Sequence, residues 1–283
     1  MRRGALSIAL AITFAALLAG CSGVRMVYDN VDTFIRWRAL QFLDVHDAQA
    51  DELDERIARF LRWHRANALP KYARDADEAA RRLADGLSQD DLVWGYDSAV
   101  AHARESLRVA AEQLAPLLDR LDAEQIRHME QRIAEENRKF AREHLRGSER
   151  ERRERRAQRI VTRLEEWVGN LSKAQLDRVN QYSARAPLLE EMRDRDNKRL
   201  QGEVLAIIRA HEARKRLPER MAYWERGRDP AFAAARAANQ QEFYQMLLDL
   251  DRLGTPEQRA QLAAEARRYA GEFRALAARR GSS

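Results

Sequence analysis

Apolar residues recur every three or four positions along nearly the whole of this 283-residue chain, and nowhere do they alternate with polar ones over a strand's length. That period demands amphipathic helices and leaves no segment for a sheet. The punctuation agrees with it. Asp122-Ala123-Glu124-Gln125, Ser148-Glu149-Arg150-Glu151, Ser172-Lys173-Ala174-Gln175 and Thr255-Pro256-Glu257-Gln258 each set a capping residue three positions ahead of Glu or Gln. Asp229-Pro230 and Thr255-Pro256 put proline at a first helical position, where its missing N–H costs nothing. Gly86, Gly169 and Gly254 fall where helices should stop.

Helices are expected near 28–43, 47–69, 70–85, 89–119, 123–145, 149–168, 173–184, 187–215, 218–226, 230–252 and 256–278. The fold class is all-α, an elongated multi-helix bundle of antiparallel helical hairpins. The 89–119 helix would be about 45 Å long at 1.5 Å per residue. One helical domain is expected over 21–283, with any subdivision near Gly147, where the charged run Arg146 to Arg159 begins. In that run Glu149 precedes Arg153 by four and Glu151 precedes Arg155 by four, which suits a solvated helical arm carrying its own ion pairs.

The only cysteine is Cys21, so disulfides and cysteine-ligated zinc are excluded, and packing alone must hold the fold. Ahead of it stand Arg2 and Arg3, an apolar stretch from Ala5 to Leu18, and the small residues Ala19 and Gly20. That is the layout of a signal peptide over residues 1–20, with an apolar run too short to span a bilayer. Leu18-Ala19-Gly20-Cys21 resembles the lipobox of bacterial lipoproteins. The resemblance implies cleavage before Cys21, a diacylglycerol on its sulfur and an acyl chain on the new amino terminus, with no other cofactor. Two or three acyl chains exceed what stable anchoring needs. In enteric-type lipoproteins a serine after the cysteine, here Ser22, implies export to the outer membrane, facing the periplasm. The tether from Cys21 to the first helix is short, so the body should lie near the bilayer. Trp37 falls roughly 130° off the main stripe of its helix at 100° per residue, facing lipid or a second helix.

Loss of the signal leaves 49 of the 51 basic residues against 45 acidic ones, a net charge of +4. Signs are mixed along the chain and only five basic residues are lysine, so no nucleic-acid partner is expected. No glycine-rich phosphate loop, Gly-x-Ser-x-Gly elbow or paired-histidine zinc helix occurs. His211-Glu212 opens like a zinc-protease motif, but Lys215 stands where the second histidine belongs. His46 lies among Asp44, Asp47 and Asp51 without rigid ligand spacing. No metal site and no enzyme activity is expected.

Polar groups nevertheless recur on faces that should be buried. At 100° per residue His64 falls at the centre of the Leu53, Ile57, Phe60, Leu61 stripe, and Arg38 interrupts Val31, Phe34, Ile35 and Phe42. Asn137 and His144 lie with Ile126, Ile133 and Phe140; Arg193, Asn197 and His211 with Leu200, Val204 and Ile207; Arg236 and Asn239 with Phe232, Phe243 and Leu247. These nine are candidates for a buried polar network or groove between helices, against the plainer alternative that each is satisfied locally. Trp63, His64 and Arg65 point three ways, so Trp-His-Arg reads as three separate contacts.

Leu121-Asp122-Ala123-Glu124-Gln125 and Leu171-Ser172-Lys173-Ala174-Gln175 resemble the Leu-Thr-x-x-Gln repeats of small periplasmic helical chaperones and envelope-stress proteins, though a capping box alone writes the same words. Trp63-His64-Arg65 and Leu69-Pro70-Lys71-Tyr72, behind a lipobox in an all-helical chain, resemble a family of proteobacterial lipoproteins of unknown function. The function expected is therefore an outer-membrane-anchored periplasmic interaction or structural protein with an envelope-protein partner. A periplasmic chaperone or envelope-stress adaptor is the alternative.

Overall fold

The structure is a computed structural model and describes residues 27–279. Among these are eleven α-helices and no strand. They are α1 (Val31–Leu43), α2 (Ala48–Trp63), α3 (Leu69–Ala84), α4 (Gln89–Leu118), α5 (Ala123–Phe140), α6 (Glu149–Val168), α7 (Lys173–Arg185), α8 (Glu190–Arg209), α9 (Ala213–Ala222), α10 (Pro230–Arg252) and α11 (Pro256–Ala278). None of the described helices is long and apolar enough to cross a membrane. Cys21 and Ser22 lie outside the described residues.

The caps form as the sequence dictates. Asp122, Ser148, Ser172 and Thr255 each accept the backbone N–H three residues on, and the Glu or Gln there returns a bond. A fifth box, Ser88 with Asp91, opens α4. Gly86 and Gly169 follow α3 and α6 in the left-handed region, at φ 96° and 74°.

The main core draws on both ends of the chain. Leu53, Leu69, Leu117, Leu121, Ile208 and Leu276 in it are essentially inaccessible to solvent. A smaller cluster joins α6, α7 and α10 through Ala157, Val179, Tyr182, Met246 and Leu250. It begins past Gly147, yet α8, α9 and α11 carry the chain back to the main core. The closest helix pairings join segments far apart in sequence: α11 lies along α3, and α9 along α4.

The helix expected at 218–226 is instead the end of α9, which runs Ala213–Ala222 with Pro218 inside it, and three further differences have a visible cause. Residues 187–215 do not form one helix: α8 ends at Arg209 and α9 starts at Ala213. The cause is Asp119, at the end of α4. Its carboxylate accepts the N–H groups of Ala213 and Arg214 at 2.5 and 3.1 Å, and its carbonyl lies 2.8 Å from His211 Nδ1. This is an N-cap delivered from 94 residues away, and it holds His211 at φ 52°.

Conversely, α2 and α3 are joined by a single π turn, His64–Ala68, instead of a break before Pro70. Proline has no N–H for the carbonyl four residues back, and the wider turn lets Leu69 N–H bond His64 C=O five residues back.

Nor is the charged run a freely solvated arm. The Glu149–Arg153 pair forms at 3.6 Å, but Arg153 and Arg156 also reach across to the end of α7. Arg153 Nη1 donates to the carbonyls of Ser183, Ala184 and Ala186, and Arg156 to those of Ser183, Ala186 and Pro187. A helix C-terminus presents unpaired carbonyls and partial negative charge, and guanidinium forks satisfy both.

Candidate functional site

Helix α4 has two halves. From Ala103 onward it buries side chains in the main core; from Gln89 to His102, about 20 Å of helix, it buries none. Trp94 in this arm packs under the Arg82 guanidinium, 4.6 Å from the ring. Val93 and Tyr96 stand exposed. One turn further, Tyr96, Asp97, Val100 and Arg104 form one wall of a cavity of about 270 Å³, with Trp224 and Arg236 opposite. Past Ala101 and Arg104 it opens into a groove of about 630 Å³ between α4 and α9 that reaches Pro218 and Tyr223.

The far wall is a turn, Tyr223 to Asp229, built on backbone carbonyls. Arg199 donates to Trp224 and Arg226 carbonyls, at 3.3 and 2.9 Å. Arg220 donates to those of Tyr223, Trp224 and Arg226. Arg228 in turn pairs with Asp196 at 3.0 Å. Arg104 bridges the cleft to Glu225 and lies 5.3 Å from the Tyr223 ring centroid. Arg104 Nε and Glu225 Oε2 are buried without a hydrogen-bond partner, so this pair keeps unused donor and acceptor capacity. The lining side chains supply aromatic faces, guanidinium donors and carboxylates, with no thiol, imidazole or aliphatic hydroxyl. Such a surface offers groups for stacking and hydrogen bonding.

The other polar constellation is enclosed. His64 is 3% exposed. Its Nδ1 lies 2.9 Å from the Tyr28 hydroxyl and its Nε2 3.4 Å from that of Tyr72, which meets Ser106 Oγ at 3.2 Å. Burial, helped by Arg65, pushes the imidazole down to about 4, and burial pushes the Tyr28 phenol up. The neutral ring is satisfied when Tyr28 donates to Nδ1 and Nε2–H donates to Tyr72. The π turn makes this possible. Eight residues of straight α-helix would leave His64 and Tyr72 about 80° apart; one extra residue in the turn takes up about 100°, leaving roughly 20°. Trp-His-Arg and Leu-Pro-Lys-Tyr are thus the two ends of one device. Arg65 does not make a separate contact: its guanidinium sits 5.6 Å from the Tyr28 ring and shares that residue with His64. Next to it Asp75 holds His102 at 2.6 Å, with the His102 ring 4.9 Å from Tyr72.

The nine candidate network residues are not brought together. Arg38 is buried, 3.2 Å from Glu136 and over the Phe42 ring. Asn137 and Gln201 exchange amide bonds between α5 and α8, at 2.8 and 3.1 Å. His144 packs against Phe140 with the rings tilted 40°, its pKa lowered by burial and then by Arg159 and Arg193. Arg193 is exposed and Asn197 half-buried. His211 leaves the Leu200, Val204, Ile207 face altogether, because the break at 210–212 turns it to solvent. Asn239 accepts the Tyr182 hydroxyl at 3.0 Å, and Arg236 lines the cleft. Tyr28, Tyr72, Ser106 and the α4 arm escaped the sequence analysis. Only the exposed Val93-x-x-Tyr96 pair signalled the last of these. Among the described residues no group of three or more His, Cys, Asp or Glu is placed to hold a metal ion. The His46 ring is turned to the Asp44 carbonyl, 3.2 Å away.

The Leu-x-x-x-Gln words have a structural explanation. Gln125 caps α5 and crosses to Gln49 at 2.6 Å. Gln175 and Gln258, the capping glutamines of α7 and α11, bond each other at 3.0 and 3.3 Å. Capping and helix bridging are what these glutamines do in the fold.

A model described as "Family of unknown function (DUF6279)" matches residues 41–226, from the last turn of α1 into the cleft turn. The chain belongs to this family. No curated protein and no solved structure matches it.

Proposed function

We propose that this family member is a lipid-anchored helical interaction protein without catalytic activity, held by acylated Cys21 on the periplasmic face of the outer membrane. Its partner is an envelope protein, and it binds neither nucleic acid nor a cofactor beyond the covalent diacylglycerol and N-acyl lipid. The observation that carries the reading is the outer half of α4. About 20 Å of well-capped helix buries no side chain of its own, yet offers Val93 and Tyr96 beside a cleft rich in arginine and aromatic rings. Arginine, tyrosine and tryptophan are the residues that dominate protein interfaces.

The test is purification from detergent-solubilised envelopes with the anchor intact. The wild type should bring down a defined partner. Val93→Asp with Tyr96→Ala should lose it at unchanged melting temperature, since neither side chain supports the core. Retention of that partner by the double variant refutes the assignment of the surface.

A further inference from the structure

We infer that the outer face of α1 and the turn before it, carrying Val27, Phe34 and Trp37, docks on the bilayer surface and sets the orientation of the body. This rests on the lipid-anchor reading above and adds a protein–membrane contact to it. The inner face of α1 is spent on the fold: Val31, Arg38 and Phe42 are buried, and Ile35 and Ala39 pack on the core. The outer face is not. Val27 is 45% and Phe34 42% exposed, two of the six large apolar side chains exposed among the described residues. Half-buried Trp37 meets Phe34 with ring centroids 6.0 Å apart, so the two form one aromatic surface.

The chain ahead of this face says what covers it. Cys21 stands six residues before Val27, a reach of roughly 20 Å at 3.3–3.6 Å per residue, and α1 itself is about 20 Å long. An acylated Cys21 therefore keeps the whole face within interfacial distance. Aromatic rings favour that zone. Of the charges flanking the face, Asp29 pairs with Arg279 at 2.5 Å and Arg36 with Asp54 at 2.6 Å, while Asp32 is exposed and accepts the Thr33 N–H.

Phe34→Cys, Val27→Cys and, as a control on α7, Lys173→Cys each add one thiol to a chain whose sole native cysteine is the acylation site. Each lipidated variant, its fold checked by circular dichroism, is labelled with a nitrobenzoxadiazole dye. It is then reconstituted into phosphatidylethanolamine–phosphatidylglycerol vesicles containing a nitroxide-bearing lipid. The labels at 34 and 27 should be quenched at least twofold more than the label at 173. Equal quenching at the three sites with Cys21 acylated by mass spectrometry overturns docking and spares the anchor. A dye shielded at 34 without lipid quenching, in a chain that sediments as a dimer, overturns it in favour of a second copy. A wild type whose Cys21 takes the dye and lacks lipid mass overturns the anchor and the docking with it.

Discussion

Replacing His64 with alanine removes an imidazole that touches Tyr28, Phe60 and Tyr72, with ring centroids 5.5–5.8 Å away, and leaves a void in the main core. It also removes two hydrogen bonds, but neither phenol is orphaned: Tyr72 keeps Ser106 and Tyr28 keeps Arg65. Two bonds at about 1 kcal/mol each, plus the incompletely closed void, give a destabilisation of about 3 kcal/mol near neutral pH. His64→Leu, which keeps most of the volume, should cost less.

The pH dependence tests the chemistry of the site. The folded pKa of His64, about 4, lies below the unfolded value of about 6.5. Between these values the unfolded chain binds a proton that the native chain refuses, so the contribution of this group to stability falls as pH drops from about 6.5 toward 4 and changes no further below that. The loss at pH 5 is about 2 kcal/mol. His64→Ala lacks the group, and the carboxylates titrate alike in both proteins. In urea unfolding curves the gap between variant and wild type should therefore shrink from about 3 kcal/mol at pH 7.5 to about 1 kcal/mol at pH 5. A gap of the same size at both pH values refutes the burial of a neutral imidazole.

Arg153→Ala or Arg156→Ala strips guanidinium donors from the end of α7 and should cost about 1.5–3 kcal/mol each, with faster amide exchange in that helix. Arg156→Lys should recover less than half, since the bonds of Arg156 leave from two nitrogens, Nη1 to Pro187 and Nη2 to Ser183 and Ala186, and an ammonium has one. A double-mutant cycle on Gln175→Ala and Gln258→Ala should give a coupling of about 1 kcal/mol; a value near zero means that each glutamine caps only its own helix. Cys21→Ala should leave unprocessed, unacylated precursor by mass spectrometry, and Ser22→Asp should shift the protein to the inner membrane in fractionation where enteric-type sorting operates.

Local information was legible and trans information was not. The boxes at 122, 148, 172 and 255 act within one turn of their own helix, so sequence spacing was enough to find them. The break at 210–212 depends on Asp119, and nothing within residues 187–215 announces it. His64 could be placed by phase because Leu53, Ile57 and Phe60 share its helix, whereas Tyr28 reaches it across 36 residues. Pro70 looked like a helix start and proved to sit at the edge of a π turn, because the sequence alone cannot say whether a lost N–H bond ends a helix or widens it. The charged run shows the same limit: Glu149 and Arg153 satisfy a local pairing rule, but the carbonyls at the end of α7 compete for the same guanidinium.

The boundary of the family match carries a last consequence. It ends at Arg226, before α10 and α11, but the core does not end there. Tyr269, Phe273 and Leu276 on α11 are all buried in the main cluster, and Phe273 meets Tyr72 with centroids 5.7 Å apart. Both α11 and α3 carry buried alanines, Ala266 and Ala270 on one and Ala73 and Ala80 on the other, which suits close approach of their axes. Burying three such large side chains is worth about 5–9 kcal/mol, comparable to the whole stability of an ordinary domain. A fragment of residues 41–226 also lacks Tyr28, one of the two hydroxyl partners of His64. It should therefore lack a cooperative thermal transition, while adding back residues 227–283 alone should restore one, at a temperature still lowered by the missing Tyr28 and by the missing Val31, Ile35 and Arg38 of α1. A 41–226 fragment that melts cooperatively at the temperature of residues 27–283 would show that the family-matched segment folds on its own and that α11 only decorates it.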